Sequence, residues 1–312
     1  MSANVLVKTL GMSEIEWLKW RKNGIGGSDA AAIAGLNPWK SPLGVYLDKI
    51  KEIETFEDNE RMRIGRDLED YVADRFSEAT GLKVRRCNSI LQHPQHEFML
   101  ANIDRDIVGK REGLECKTTN SYAKGDWEGD KIPAHYEIQC HHYMAVTGYD
   151  AWWIAVLIGN EKFVYKRIDR DEDVINYLIN IEKDFWENYV LKEVMPAPDG
   201  SDYSQELING EYGMSVAGAT VYIDPMDEEF KEKANRYDEL KELIGKLETE
   251  KKKIAQNIQL RMGENEILQF GDRKIKWKSI SQTRFDSKGF KKDHPGLYEK
   301  YTNTTSYRRF DM

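Results

Sequence analysis

The chain has 312 residues, enough to bury a core without disulfides or a structural metal as one large domain or two modest ones. Hydrophobic residues at 40% against charged residues at 32% exclude a mostly disordered chain, and no apolar run approaches the roughly 20 residues of a membrane span. Forty-six basic and fifty-four acidic side chains leave a net charge of −8, which excludes a uniformly basic nucleic-acid coat but not a local basic site.

Three scattered cysteines, Cys87, Cys116 and Cys140, and an N-terminus without the basic, apolar and small-residue succession of a signal peptide point to a reducing cytoplasm. Charge is unevenly spread. From Gly271 onward there are eleven Lys/Arg and five Asp/Glu, a balance of +6 that leaves −14 for residues 1–270.

Ser13 and Glu16 form a capping-box signature that starts a helix running to about Lys22. Asn23 to Gly27 breaks it, and Ser28 is expected to cap a short small-residue helix closed by Gly35. Ser41-Pro42 starts another helix, with Pro at the first position, and a longer amphipathic one spans about Asn59 to Ala79 and stops at Gly81. The period then changes to that of strands. Leu82–Leu91, Phe98–Asn102, Asp106–Val108 and Gly113–Thr118 read as a meander. A helix from Ala134 to Thr147, strands near Trp152–Ile158 and Lys162–Ile168, and a helix from Glu172 to about Lys192 follow. This order predicts an α/β or α+β core, residues 1–196, with one mixed central sheet flanked by helices. Residues 197–225, rich in Pro, Gly, Asp and Ser, read as a linker. The remainder, 226–312, is expected to hold a long helix from Asp227 to Met262, with an apolar stripe at coiled-coil spacing, and a β-hairpin across Gly271-Asp272.

The most specific constellation is Asp104, ten intervening residues, then Glu115-Cys116-Lys117. Alternate strand positions share a face, so Glu115 and Lys117 project together, and Asp104 reaches the same end if its strand pairs with theirs. Two carboxylates within about 6 Å of each other make a hard oxygen site suited to Mg²⁺, and an adjacent lysine can orient or help deprotonate an attacking water. Such a set suits phosphodiester hydrolysis. Glu69 on the preceding helix can add a carboxylate, and Gln139 on the following helix can bond the water or a phosphate. Independently, Arg21 and Ser28 suit an anion: a helix start and flanking glycines offer backbone N–H groups, and the guanidinium adds a bidentate contact.

Helix Glu, strand Asp, strand Glu-x-Lys and helix Gln in that order resemble the PD-(D/E)xK nucleases, whose restriction-endonuclease-like core this would be. The stretch Trp17-Leu18-Lys19-Trp20-Arg21 through Gly26-Gly27-Ser28-Asp29-Ala30 is similar to the YqaJ-type viral recombinase family, of lambda-exonuclease-like character, with the likeness covering residues 13–192. The resemblance implies a phage or prophage enzyme of a bacterial cytoplasm. Its reaction would be 5′-to-3′ digestion of one strand at double-stranded DNA ends, leaving 3′ single strands for an annealing protein of RecT or Redβ type. It implies a homo-oligomer, possible as a ring-shaped trimer, and two Mg²⁺ ions for which Mn²⁺ can substitute. Carried over, Asp104, Glu115, the Cys116 backbone carbonyl and Glu69 hold metal, Lys117 assists the nucleophilic water, Gln139 completes the site, and Arg21, Ser28 and Asn102 face phosphate. Ile103 stands where the motif's name has proline, which is not a ligand, and Asn102 where the family has serine. For an arginine that holds the 5′ phosphate downstream of Glu-x-Lys, Lys124 is the nearest cation. An endonuclease or structure-specific nuclease of the same fold, and a catalytically silent DNA-binding or scaffolding module, are the alternatives.

The +6 tail interleaves Lys274, Lys276, Lys278, Arg308 and Arg309 with Trp277 and other rings. This suits a strand-binding surface, a small aromatic core with solvated charges, or a docking face for a protein partner. His93, His96, His141 and His142 lack the partners at ligand spacing that zinc requires, and the cysteines fall short of a four-cysteine iron–sulfur set.

Overall fold

A computed structural model describes residues 3–52 and 58–312 and divides the chain into two compact units, residues 1–211 and 212–312. In the first, the elements are β1 (Asn4–Lys8), α1 (Glu14–Arg21), α2 (Gly27–Ile33), α3 (Pro42–Ile50), α4 (Glu60–Thr80), β2 (Val84–Arg86), β3 (Ser89–Gln92), β4 (Leu100–Ala101), β5 (Arg105–Ile107), β6 (Glu112–Thr119), α5 (Ala134–Thr147), β7 (Ala151–Ile158), β8 (Lys162–Asp169), α6 (Glu172–Phe185) and α7 (Asp202–Glu211).

The central sheet has the order β2-β5-β6-β7-β8 and is mixed, because β6 and β7 run parallel while the other neighbours are antiparallel. A parallel pair needs a crossover, and α5 supplies it. Helices cover both faces, which is why β7 reads as an unbroken apolar run, Ala-Trp-Trp-Ile-Ala-Val-Leu-Ile. Val72, Ala73 and Phe76 of α4 pack with Leu114 and Ala155 on one face. Met144 and Val146 of α5 pack with Trp152, Ile154 and Val156 on the other. Strand alternation therefore sends Leu114 and Cys116 toward α4, and Glu115 and Lys117 toward α5.

Several expectations change. The segment read as one meander is split: β3 and β4 join β1 in a separate three-stranded sheet, while β2 and β5 belong to the central one. Five residues, Asn-Val-Leu-Val-Lys, are too short for a periodic signal, so β1 was not anticipated; its pairing with β3 makes it. The helix expected to reach Lys192 turns into a single π-helical turn at Trp186–Val190. Ser28 is not a cap. The N-cap is Gly26, whose N–H donates to Asp29 Oδ2 at 3.2 Å, so α2 starts two residues earlier with its cap satisfied from within. The stretch read as a linker contains α7, whose Tyr203 lies against Gly44 of α3, where an added Cβ would come within 2.5 Å of the ring. Tertiary packing outweighed a loop-like composition there.

The second unit consists of α8 (Glu228–Met262), a hairpin of β9 (Ile267–Phe270) with β10 (Arg273–Lys276), and the short helices α9 (Ser287–Asp293) and α10 (Pro295–Lys300). Asp227 caps α8, accepting from Phe230 N–H at 2.9 Å. At 35 residues α8 is about 50 Å long. No helix among the described residues is long and apolar enough to cross a membrane.

Candidate active site

Asp104 immediately precedes β5, where pairing of Arg105 with Leu114 and Asp106 with Gly113 brings it beside the Glu-x-Lys strand. Its Oδ2 accepts the Cys116 N–H at 2.8 Å. Glu115, almost fully enclosed, accepts from the Lys117 ammonium and, at 2.7 Å, from Gln139 Nε2. Gln139 Nε2 also donates to the Tyr143 hydroxyl at 2.8 Å, so both amide hydrogens are used and the Gln139 carbonyl oxygen is the atom left to accept from a water. Gly27 permits this arrangement. An added Cβ there would lie 2.8 Å from Gln139 Cγ and Tyr143 Cε1, so the glycine doublet serves close packing of α2 on α5.

Burial, then repulsion from Glu115 and Glu69, pushes the Asp104 carboxyl well above the ordinary carboxylate range. Burial also pushes Glu115 up, against the pull of Lys117. For Lys117, burial works against the ammonium, but Glu115 and Asp104 outweigh it and raise its pKa. Glu115 Oε2 is buried without a hydrogen-bond partner. An orphaned carboxylate oxygen next to a second strained carboxylate is a site short of positive charge, and its all-oxygen donors fit a hard divalent cation. Among the described residues no three His, Cys, Asp or Glu side chains form a ready-made metal cage. The two carboxylates therefore offer a partial set, of the kind Mg²⁺ completes with water and substrate phosphate. Glu69 is committed elsewhere as well: it pairs with the buried Arg105, which also donates to the Asp104 carbonyl at 2.7 Å and to Asp70 at 2.6 Å.

A cavity of about 650 Å³ collects several of these residues. Asp104, Lys117, Gln139 and Glu69 line it together with Arg21, Ser28 and Asn102. Arg21 Nη2 lies 3.5 Å from Ser28 Oγ, and its guanidinium stacks 4.6 Å over the Trp17 ring. Trp17 Nε1 donates to Asn102 Oδ1 at 3.1 Å, which leaves the Asn102 amide hydrogens for the cavity. Trp17 thus links Arg21 and Ser28 to the segment between β4 and β5 that bears Asp104, a role that its apolar helix position does not reveal. Lys124 is elsewhere: exposed, 3.8 Å from Glu161, and not in the cavity wall.

Sequence reasoning also missed the support beneath Arg21 and Ser28. Asp29, 1% exposed, accepts from Lys40 and Lys49 at 2.7 Å each, and Lys49 donates to the Arg21 carbonyl at 3.1 Å. Burial disfavours the Asp29 charge, but Lys40, Lys49 and Arg21 prevail and hold it well below the usual range. The small-residue run around Asp29, which forces any charge there inside, is the signal that could have shown it. Two of the histidines are occupied too: His142 bridges Glu182 at 2.9 Å and the Leu100 carbonyl at 2.8 Å, and His93 Nδ1 accepts from the N–H groups of Gln95 and His96.

In the second unit, Lys274 and Lys276 lie on β10, and Trp277 and Lys278 follow it, with Lys278 3.8 Å from Glu266. Arg308 donates to the Tyr212 carbonyl, and Arg309 approaches Asp311. Trp277, Phe285, Tyr301, Tyr307 and Phe310 are exposed, so these rings do not form an aromatic core.

The family model described as YqaJ-like viral recombinase domain matches residues 16–150. The uncharacterized protein YqaJ of Bacillus subtilis (strain 168) is 39% identical over 313 residues, covering 99% of this chain and 97% of that protein. The chain belongs to the YqaJ-like viral recombinase family. The matched span contains every cavity residue from Arg21 to Gln139. Solved structures that resemble this family member include the alkaline exonuclease LHK-Exo from Laribacter hongkongensis, at 18% identity and a TM-score of 0.48, covering 64% of this chain and 99% of that one. A phage related exonuclease from Haemophilus somnus 129PT is similar at 13% identity and a TM-score of 0.41, covering 55% and 96%.

Proposed function

We propose that this recombinase-family chain is a Mg²⁺-dependent deoxyribonuclease that digests linear double-stranded DNA from a 5′ end, exposing 3′ single strands for an annealing protein. The observation that carries the reading is the shared cavity: Asp104, Lys117 and Gln139 stand at one part of it, and Arg21 with Ser28 at another. A divalent cation held by Asp104 and Glu115, with the Cys116 carbonyl and Glu69 as further oxygen donors, supplies charge stabilisation at the phosphate and lowers the pKa of an attacking water.

The chain's own groups do the rest. Gln139 accepts a hydrogen bond from the water and fixes its direction. The Lys117 ammonium, held by Glu115, opposes the negative charge that develops on the phosphate and can orient the nucleophile. Arg21 and Ser28 bind a terminal phosphate, whose second negative charge distinguishes it from an internal diester. Asn102 donates to a phosphate oxygen between them. End selection and hydrolysis are then coupled by one strand lying across one cavity.

Duplexes labelled at each end, with a 5′ phosphate or a 5′ hydroxyl, test this in Mg²⁺ and after chelation. Mononucleotide release from the 5′-phosphorylated strand is expected. Cleavage of closed circular DNA at an equal rate would replace the exonuclease reading with an endonuclease on the same site. DNA binding without hydrolysis in either Mg²⁺ or Mn²⁺ would replace it with a silent binding module.

A further inference from the structure

The apolar stripe of α8 is open to solvent. Phe230, Tyr237, Leu240, Ile244, Leu247 and Ile254 follow one another at steps of three, four or seven and are each between 39% and 55% exposed. A stripe of that extent is unusual on a chain that acts alone. Its heptad puts Phe230, Tyr237 and Ile244 at a positions and Leu240, Leu247 and Ile254 at d positions, with two interruptions, Lys233 at d and Lys251 at a. The chain's own last residues reach one margin of it, where Phe310 packs edge-on against Tyr237 and Lys241 donates to the Met312 carbonyl. They leave the rest uncovered.

The interruptions and the flanking charges say what covers it. A polar group inside a coiled-coil seam fixes register, because it must avoid its like. If two copies paired in parallel, Lys233 would meet Lys233, Lys251 would meet Lys251, and Arg236 would flank Lys241. An antiparallel pair centred between Ile244 and Leu247 has none of these clashes. Ile244 of one copy then lies opposite Leu247 of the other, Tyr237 opposite Ile254, Lys251 opposite Leu240 and Lys233 opposite Ile258. Each lysine stem lies along an aliphatic side chain and keeps its ammonium in water.

The flanks match in the same register, since Lys241 of each copy stands beside Glu248 of the other. Among the described residues Glu248 forms no ion pair, whereas Glu228, Glu229, Glu239 and Glu242 are each paired within the helix. The contact of Lys241 with Met312 uses one of three ammonium donors, which leaves two for a carboxylate. Sliding the antiparallel pair by one heptad restores a clash, Lys233 on Lys251 in one direction and Glu248 on Glu248 in the other.

We propose that α8 is a self-association element, through which two copies of this chain pair as an antiparallel coiled coil in this register. The pairing does not depend on the nuclease reading.

Sedimentation equilibrium of the full chain over a wide concentration range tests it, with Leu247→Glu, Lys241→Glu, Glu248→Lys and the double exchange Lys241→Glu/Glu248→Lys. Thermal melting checks that each variant folds. Leu247→Glu puts two carboxylates into the seam of each pair and should weaken association about 100-fold or more. Lys241→Glu and Glu248→Lys each turn two attractions into two repulsions and should weaken it about tenfold, with the loss shrinking at high salt. In the double exchange opposite charges face each other again, and association should recover. Residues seven apart on one helix do not pair with each other, so recovery reports contact between copies. If the single exchanges weaken association and the double exchange does not recover it, the antiparallel register is overturned. Unchanged assembly in Leu247→Glu and Lys241→Glu overturns the proposal whatever oligomer the first unit forms, and assigns the stripe to the chain's own tail or to a different protein.

Discussion

In residues 1–211 charged groups lie inside, and in residues 212–312 apolar groups lie outside. Asp29, Arg105, Glu115, His142 and Glu182 are almost fully enclosed, whereas Phe230, Ile244, Leu247 and Ile254 of α8 are each more than half exposed. Enclosing a charge costs several kcal/mol per ion unless partners and hydrogen bonds compensate, so a fold that does so repeatedly depends on each partner. An exposed apolar stripe costs the isolated chain little and contributes little to its stability. Substitutions in the two regions should therefore differ in kind: loss of chemistry or of folding in the first, and altered association or salt response in the second.

The largest contrast is expected in turnover. Lys117→Ala or Asp104→Ala should lower hydrolysis of an end-labelled duplex by about 10³-fold or more, since in the proposed reaction each removes a group that acts at the phosphate. Lys274→Ala with Lys276→Ala, on the exposed hairpin, should cost less than about tenfold and mainly flatten the salt dependence of binding. Single-turnover rates at two salt concentrations check both. Abolished hydrolysis in the hairpin variant would break the comparison by placing β10 in the chemistry.

Next comes folding. Asp29→Ala leaves Lys40 and Lys49 facing each other without their shared carboxylate and should cost about 3–5 kcal/mol, read as a lower urea midpoint. Glu242→Ala, which removes a solvent-exposed partner of Lys246 on α8, should leave the midpoint where it is.

These two regions also explain what the sequence could show. Capping and breaking residues are local, so Ser13 with Glu16, Ser41-Pro42, Asn59 and Gly81 placed helix ends within a residue or two. The Glu-x-Lys triplet was legible because strand alternation is geometric: it needed only β6 to be a strand for both side chains to face α5. Nonlocal partners were not legible. Nothing near Trp17 announces Asn102, 85 residues away, and nothing near Asp29 announces Lys49. Lys124 was chosen by proximity in sequence to Glu115 and Lys117, but the intervening turn carries it out of the cavity. In the second region the stripe on α8 was readable, yet periodicity fixes only which residues share a face and not what covers it.

The pH dependence sharpens the contrast at the site itself. Burial and mutual repulsion raise the folded-state pKa of Asp104, and burial raises that of Glu115, so both hold protons at pH values where exposed carboxylates have lost theirs. A divalent cation must displace such a proton. Below the raised pKa, the Mg²⁺ concentration for half-maximal activity should therefore climb about tenfold per pH unit for each proton displaced. A titration of rate against Mg²⁺ at several pH values measures this. An activation constant independent of pH through the mildly acidic range would mean that the carboxylates are not the cation's ligands.

The smallest effect expected is one of sign. A carboxyl whose folded pKa is raised above its unfolded value destabilises the fold wherever the unfolded chain would ionise, and the penalty disappears as pH falls through the unfolded pKa. Asp104→Asn removes that charge while an amide oxygen remains to accept the Cys116 N–H, so without divalent cations it should raise the melting temperature slightly at neutral pH. The gain should vanish in acid, where the wild-type carboxyl is already neutral, and reverse in saturating Mg²⁺, where the wild type alone gains binding energy. Asp227→Asn at the exposed cap of α8 keeps its hydrogen bond to Phe230 N–H and should show neither the gain nor the reversal. A carboxylate that lowers stability in the empty fold and raises it in the loaded one is kept for what it binds, and differential scanning at two pH values, with and without Mg²⁺, separates that from an ordinary structural role.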